Sequence, residues 1–204
     1  MTIEKGQGWG RAGALPDDGV VVHSDAEIRT IVEHARRTGA DLPVLGLAGG
    51  DLWRTLGGTA GAVDRLRRPE AMTFPVDIGS VLVDGRIHWF VAHLVARRSW
   101  WRGRTIAVMN AQWLGAWDLG PRAHPGDGLL DITDGDLSLG DRWKARSRLA
   151  TGTHLPHPAL RTSRVAAAQL ECHPPLDVWL DGERVGRATT LSIRVEPDAL
   201  TVVI

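Results

Sequence analysis

The feature that most constrains the fold is the pattern of short apolar runs and turn residues that begins at about residue 75. Segment 80–91, SVLVDGRIHWFV, alternates in hydrophobicity and carries Asp84-Gly85 at its centre, a pair that strongly favours a two-residue hairpin turn. The same pair recurs at Asp181-Gly182. Because no long helical pattern follows residue 75, the sequence predicts an antiparallel β domain there.

Further strand-like segments in this part of the chain are short apolar or alternating runs between turn residues. They are residues 105–110, 129–132, 164–172, 177–186, 189–195 and 199–204. Pro197-Asp198 separates the last two runs, and we expect the chain to reverse direction there.

The first quarter of the chain has the pattern of alternating strands and helices. Residues 20–22 and 44–47 are short apolar runs that are typical of buried strands. Residues 23–39 between them place apolar side chains at helical spacing, on one face. Residues 20–58 therefore predict a strand–helix–strand–helix unit, which is a fragment of α/β architecture.

Both predicted helices have start signals in the sequence. Ser24 and Glu27 match an S-x-x-E capping box at the start of the first helix, and Gly39 suits its end. Asp51 can cap a second, short helix that runs through Leu56.

Composition limits the class of protein. The formal net charge is zero, which argues against a dominant field for nucleic acid, so we expect no nucleic-acid partner. The single cysteine, Cys172, excludes an intrachain disulfide and a cysteine-based zinc cage. The sequence has no transmembrane segment and no apolar signal core at its N-terminus, so a cytoplasmic protein is the expectation.

Two smaller features each allow two interpretations. His154 and His157 in THLPHP suit a turn between strands or a metal site. The basic segment 97–104, RRSWWRGR, suits a solvated loop or a contact with lipid headgroups or nucleic acid.

Residues 108–132, VMNAQWLGAWDLGPRAHPGDGLLDI, resemble the diacylglycerol kinase family, which includes bacterial lipid kinases and sphingosine kinases. That family has a strand ending in Asn-Gly, then a glycine-rich turn and P-x-A-x-x-x-DG-x-LD. The matching positions here are Asn110, Gly115, Pro121, Ala123, Asp127, Gly128, Leu130 and Asp131. Segments 74–79, 152–171 and 179–185 resemble further family motifs in the family's order.

The resemblance implies an α+β chain in two parts. Residues 1–73 would be a truncated α/β remnant of the ATP-binding domain, and residues 74–204 an antiparallel β-sandwich. The family's activity is ATP-dependent phosphoryl transfer to a lipid hydroxyl that enters the cleft between the two parts. This chemistry depends on positioned phosphates, Mg²⁺ and a carboxylate that orients the hydroxyl.

The resemblance also implies a catalytic site in WLDGERV. Asp181 matches the family's catalytic Asp, which is thought to accept the proton of the lipid hydroxyl, and Glu183 would share its face of the strand. From the residues alone, Asp181-Gly182 is equally well a hairpin turn.

A metal site is implied in the preceding motif. Asp127 matches the family's magnesium-binding Asp, with backbone carbonyls supplied by the positions of His124 and Leu129. The alternative is a structural Asx turn over Gly128.

The nucleotide-binding motifs of the family are only partly retained. The family's G-G-D-G-T corresponds to HSDAE, where Asp25 alone remains, and the side chains of Ser24 and Glu27 would use the helix-end donors that a phosphate needs. Glu27 also brings a negative charge towards the place where the phosphate would bind.

In GLAGGDLWRTLGG (46–58), the family's second nucleotide motif is shortened. Gly49 and Gly50 replace the family's Gly-Thr, while Asp51 and Thr55 fall in the matching helix. A nucleotide contact at these four residues and at Asp25 is one interpretation, and a glycine turn that caps a short helix is the other.

The resemblance implies that the first strand and helix of the family's nucleotide domain are absent here. We expect a second copy of the chain to cover the open edge, as a homo-oligomer. Three functions stay open: a degenerate homologue that binds a lipid or a partner, an active lipid kinase whose nucleotide site is remodelled or completed by a partner, and a structural interaction module.

Overall fold

The structure is a computed structural model that describes residues 9–59, 63–154 and 157–204. The helices are α1 (Asp25–Thr38), α2 (Asp51–Thr55) and α3 (Leu139–Leu149), with a short 3-10 helix at Val63–Arg65. The strands are β1 (Arg11–Ala12), β2 (Val20–Val22), β3 (Leu45–Leu47), β4 (Met72–Val83), β5 (Arg86–Phe90), β6 (His93–Arg97), β7 (Thr105–Met109), β8 (Trp113–Leu114), β9 (Trp117–Asp118), β10 (Leu130–Gly135), β11 (Leu160–Val165), β12 (Ala167–Leu180) and β13 (Glu183–Val203).

One mostly antiparallel sheet organises the described residues. Its main path has the order β1-β4-β13-β12-β6-β7-β10-β11, and β5 pairs with β4. Strands β2 and β3 are parallel to each other, and β3 joins the sheet through a parallel pairing with β13. Strands β8 and β9 form a separate hairpin. The predicted class, an α+β chain with a small α/β part before an antiparallel β-sandwich, is confirmed.

Two apolar cores hold this arrangement together. The larger core is formed by side chains of the antiparallel strands and includes Val81, Phe90, Leu94, Ile106, Val108, Leu130, Val178, Leu191 and Ile193. The second core packs the first two helices on the sheet and includes Ile28, Val32, Leu45, Leu52, Val76 and Val202. The second core joins the residues before and after position 73, and the predicted domain boundary there stays a prediction.

Helix α1 forms as its sequence signals predict. The Ser24 hydroxyl accepts a hydrogen bond from the Glu27 amide at 3.2 Å, and the Glu27 carboxylate accepts one from the His23 amide at 2.7 Å. Gly39 ends the helix with φ 71°, in the left-handed region that glycine adopts without strain. The two predicted hairpins are also confirmed, with Asp84-Gly85 joining β4 to β5 and Asp181-Gly182 joining β12 to β13.

Helix α3 contradicts the prediction that no long helix follows residue 75. Of its three large apolar side chains, Leu139 and Trp143 are 68% and 70% exposed and Leu149 is partly buried, while Arg142 is its buried side chain. Because two large apolar side chains face solvent and a charged one is buried, the segment has no apolar periodicity from which the helix could be predicted.

The predicted reversal at Pro197-Asp198 is also wrong. Strand β13 continues through these residues, and its pairing with β4 shifts register between Glu196 and Leu200. The Asp77 carboxylate accepts the Asp198 amide at 2.9 Å and the Gly128 amide at 2.7 Å, so it holds the bulge in place.

Candidate functional site

The candidate site lies where the starts of α1, α2 and β6 meet the β12–β13 turn. These four places contribute Asp25, Asp51, His93 and Asp181, respectively. Among residues 9–59, 63–154 and 157–204, no helix is long and apolar enough to cross a bilayer.

Asp25 connects the first two helices. Its carboxylate accepts hydrogen bonds from the Asp51 amide at 2.6 Å and the Leu52 amide at 3.1 Å. The cap of α2 is therefore the side chain of Asp25, and the prediction that Asp51 caps this helix is wrong. Burial and the charge of Asp181 raise the pKa of Asp25 from 3.8 to about 7, despite the two amide hydrogen bonds that lower it.

The glycine pair before α2 allows this close approach. Gly50 has φ 99°, and a Cβ there would lie 2.6 Å from the Asp25 Oδ1. A Cβ on Gly49 would lie 2.5 Å from the carbonyl oxygen of His23. Both glycines are thus required by internal packing. A nucleotide contact at Gly49, Gly50, Asp51 and Thr55 stays a prediction.

The Asp51 amide bonds to Asp25, whereas the Asp51 side chain contacts His93. Its Oδ2 lies 3.0 Å from His93 Nε2, and its carboxylate accepts the Gly115 amide at 2.9 Å. Burial opposes the positive charge of His93, but the hydrogen bond to Asp51 and the negative charge of Asp181 outweigh it and raise the pKa of His93. Thr55 lies one turn further, where its hydroxyl donates to the Asp51 carbonyl oxygen at 2.8 Å and accepts the Gln112 amide at 3.0 Å.

Asp181 is both a turn residue and a buried acid. Its φ of 50° belongs to the hairpin turn with Gly182. Its carboxylate accepts the amides of Val91, Ala92 and His93 at 2.9–3.0 Å. Burial raises the pKa of Asp181 although the charge of His93 and these amides lower it. The turn interpretation is therefore confirmed, and the catalytic role of Asp181 stays a prediction.

Glu183 ties the turn to α1. Its carboxylate pairs with the guanidinium of Arg29, which also contacts Glu33 at 3.1 Å. The side chain of Glu183 is more than half exposed, so it lies at the rim of the site.

A cleft of about 540 Å³ opens beside the Asp51–His93 pair. Strands β6 and β12 and the β8–β9 hairpin contribute its walls. Its lining side chains include Asp51, His93, Arg97, Trp100, Trp117 and Trp179. His93 was missed in the sequence, because it lies in an apolar run typical of a core strand, and a polar residue within such a run was the one available signal. Arg97 begins the basic segment 97–104, for which a contact with lipid headgroups was one of the two interpretations.

An apolar cavity of about 100 Å³ lies under α3. Trp100 and Trp117 line both this cavity and the cleft, and their rings pack edge to face with centroids 5.2 Å apart. His154 is buried in its wall, burial lowers the pKa of its ring, and neither ring nitrogen has a hydrogen-bond partner among the described residues. His157 instead accepts the Ala159 amide at 3.1 Å, in a turn.

The predicted metal residues lie away from this cleft. Asp127 accepts the Leu129 amide at 3.0 Å, as an Asx turn does, and its other carboxylate oxygen pairs with Arg164. The ring of His124 packs against Trp9 at 4.4 Å. Among the residues that the structure describes, no group of three or more His, Cys, Asp or Glu side chains could hold a metal. Arg164 occupies one carboxylate oxygen of Asp127, and the magnesium site at Asp127, His124 and Leu129 stays a prediction.

Residues 58–204 match the family model of the YegS C-terminal NAD kinase beta sandwich-like domain. A solved diacylglycerol kinase from Bacillus anthracis str. Sterne aligns with a TM-score of 0.66 and 16% identity, over 91% of this chain and 75% of that chain. Two further structures from that organism, provisionally assigned as diacylglycerol kinases, align with TM-scores of 0.67 at 15% and 14% identity, over 91% of this chain and 77% of theirs. No curated protein matches significantly. At such identities the structural likeness shows the fold.

Proposed function

The chain belongs to the family of the YegS C-terminal NAD kinase beta sandwich-like domain, and from this membership we propose that it binds a lipid without transferring phosphate to it. The diacylglycerol kinase resemblance of its motifs is confirmed at the level of family and fold. ATP-related chemistry is consistent with membership of this kinase-like family. For this chain we propose that its own side chains occupy the backbone amides to which a nucleotide phosphate would bind.

The observation that carries this proposal is the Asp25 carboxylate on the first amides of α2. Helix-start amides after a glycine loop are the donors that a nucleotide phosphate uses. Here Asp51 and Leu52 donate to Asp25. A phosphate would have to displace both hydrogen bonds, which contribute about 0.5–1.5 kcal/mol each to a neutral Asp25 and about 1.5–3 kcal/mol each to its ionised form. The Glu27 carboxylate on the His23 amide adds a charge that repels a phosphate.

The cleft beside Asp51 and His93 and the apolar cavity under α3, by contrast, leave space for a lipid. The cleft and the apolar cavity share the rings of Trp100 and Trp117, so a polar head and an apolar tail could each find a suitable surface. The likeness to structures that carry the name diacylglycerol kinase supports this class of ligand.

Calorimetry with ATP and magnesium, and separately with dihexanoylglycerol, tests the proposal. We expect heat of binding from the lipid and none from several millimolar nucleotide. A dissociation constant for ATP below about 1 mM, equivalent to about 4 kcal/mol, would contradict the closed nucleotide end. Absence of binding by both ligands would favour a structural interaction module.

An active kinase is the second candidate, and the convergence of Asp25, Asp51, His93 and Asp181 favours it. A buried acid beside a histidine suits the acceptance of a proton from a hydroxyl. If ADP formed from ATP in the presence of dihexanoylglycerol, and did not form with the Asp181→Asn variant, this candidate would replace the first. Magnesium would accompany the nucleotide in that case, and Asp127 would bind it only after Arg164 had moved.

We also propose that a second copy covers the open edge at β2. This strand pairs with β3, and Val20 at its start is exposed. Sedimentation of the purified chain should then report a dimer, and a monomer at high concentration would contradict this arrangement.

A further inference from the structure

Arg97 occupies an unusual position at the end of the cleft opposite to Asp51. The alternation of strand β6 directs His93, Val95 and Arg97 to the face that lines the cleft. The Arg97 guanidinium lies between two indole rings, 4.3 Å from the centroid of Trp100 and 4.0 Å from that of Trp179. Two tryptophans thus hold a cation in a fixed orientation.

The hydrogen-bonding capacity of this cation is unused. Arg97 Nε is buried without a hydrogen-bond partner in the part of the chain that the structure describes. Its cross-strand neighbour Asp177 accepts a hydrogen bond from Arg184 at 2.6 Å instead. Burial lowers the pKa of Arg97, and the charge of Asp177 offsets part of that. Arg97 as a whole is half-buried, and its guanidinium lies on two indole rings with Nε unpaired among the described residues, so it is poised for an anion from outside the chain.

The other charges of the cleft do not occupy Arg97. Asp51 is the carboxylate of the cleft lining, and it is bound to His93 and the Gly115 amide. Arg97 lies four positions after His93 along the strand, which is roughly 13 Å at the rise of a β-strand. The Asp51–His93 pair therefore neither neutralises the guanidinium nor strongly repels an anion that reaches it.

We propose that Arg97 binds the phosphate headgroup of an amphiphile, with Trp100 and Trp117 leading its tail from the cleft towards the apolar cavity. The planar guanidinium fork matches the oxygens of a phosphate. The ligand would therefore carry its phosphate before it binds, in contrast to a neutral lipid alcohol. This inference rests on the proposed lipid-binding function and names the class of lipid.

Dihexanoyl phosphatidic acid and dihexanoylglycerol test this directly, because they share their chains and differ in the phosphate. Quenching of tryptophan fluorescence reports binding beside Trp100 and Trp179. The wild-type chain should bind the phosphatidic acid about tenfold to a hundredfold more tightly, as expected for hydrogen bonds to a charged group. Arg97→Gln should abolish this preference, and Arg98→Gln, an exposed arginine next in sequence, should retain it.

Two measurements keep the test valid if Arg97→Gln is poorly folded. Added salt should weaken binding of the phosphatidic acid to the wild-type chain and leave binding of dihexanoylglycerol unchanged. Arg97→Lys, which keeps the charge and loses the fork, should retain part of the preference.

Equal affinities of the wild-type chain for the two lipids would overturn this inference and leave lipid binding intact. A preference that survives in a folded Arg97→Gln variant would do the same. Inorganic phosphate separates the sources of the anion. If it binds through Arg97 and neither lipid binds, the site takes free phosphate, so the amphiphile and the proposed lipid-binding function both fail. If no ligand binds, both proposals fail.

Discussion

Replacing Asp25 with asparagine should change how the stability of the protein depends on pH. Asp25 is 6% exposed, and its pKa rises from 3.8 to about 7 through burial and the charge of Asp181. Between these two values the folded protein holds a proton on Asp25 and the unfolded chain does not. Folding therefore takes up a proton, and the wild-type protein loses stability as the pH rises through this window.

The magnitude follows from the size of the pKa change. At about 1.36 kcal/mol per pH unit, the loss amounts to as much as about 4 kcal/mol between pH 4 and pH 7. Asparagine cannot ionise, so the variant does not undergo this loss. It keeps one acceptor oxygen for the two amides of α2, and the amide left without an acceptor costs about 1–3 kcal/mol at every pH.

Urea unfolding of both proteins across this pH range is the assay. Asp25→Asn should be the less stable protein near pH 4 and should equal or exceed the wild type near pH 8. His93 and Asp181 titrate in both proteins, and because their charges interact with that of Asp25, the difference between the two curves reports Asp25 together with its effect on these two neighbours. Asp41→Asn, which removes an exposed carboxylate, is the control and should follow the wild type. A stability gap that is independent of pH would refute the reasoning.

Three further predictions test the packing, the hairpin and the metal site. Gly79→Ala should lose about 1–3 kcal/mol in urea unfolding, because its Cβ would lie 2.1 Å from the Phe90 ring; the control Gly186→Ala has no atom within 4 Å and should be neutral. Amide and hydroxyl hydrogen bonds lower the pKa of Asp84, so Asp84→Asn should lower the Tm at pH 7, with a difference that disappears as the pH falls below the ordinary value of 3.8. Magnesium should leave the Tm of the wild-type chain unchanged, because Arg164 occupies the Asp127 carboxylate, and should raise the Tm of Arg164→Ala. If magnesium also left the Tm of this variant unchanged, the predicted metal site would be wrong.

Local signals in the sequence were sufficient for the elements that are stabilised by near neighbours. The capping residues of α1, Ser24 and Glu27, form hydrogen bonds that span at most four positions, and the Asp84-Gly85 pair adopts the positive φ angles that its turn requires. Helix α3 lacked such a signal because its buried side chain is Arg142. The bulge at Pro197-Asp198 could not be predicted either, since the carboxylate that holds it lies on another strand.

The features of the candidate site likewise divide into those that the sequence determined and those that the tertiary structure decided. The sequence by itself determined the family motifs, the acids at positions 25, 51 and 181, and the replacement of the phosphate-binding residues at the start of α1. Only the tertiary structure decided that Asp25 caps the second helix, that His93 meets Asp51 across 42 positions, and that Arg97 lies between two indole rings. The physical reason is that propensity and capping act over a few residues, whereas hydrogen bonds, burial and pKa values in this site depend on strands that the sheet brings together from distant parts of the chain.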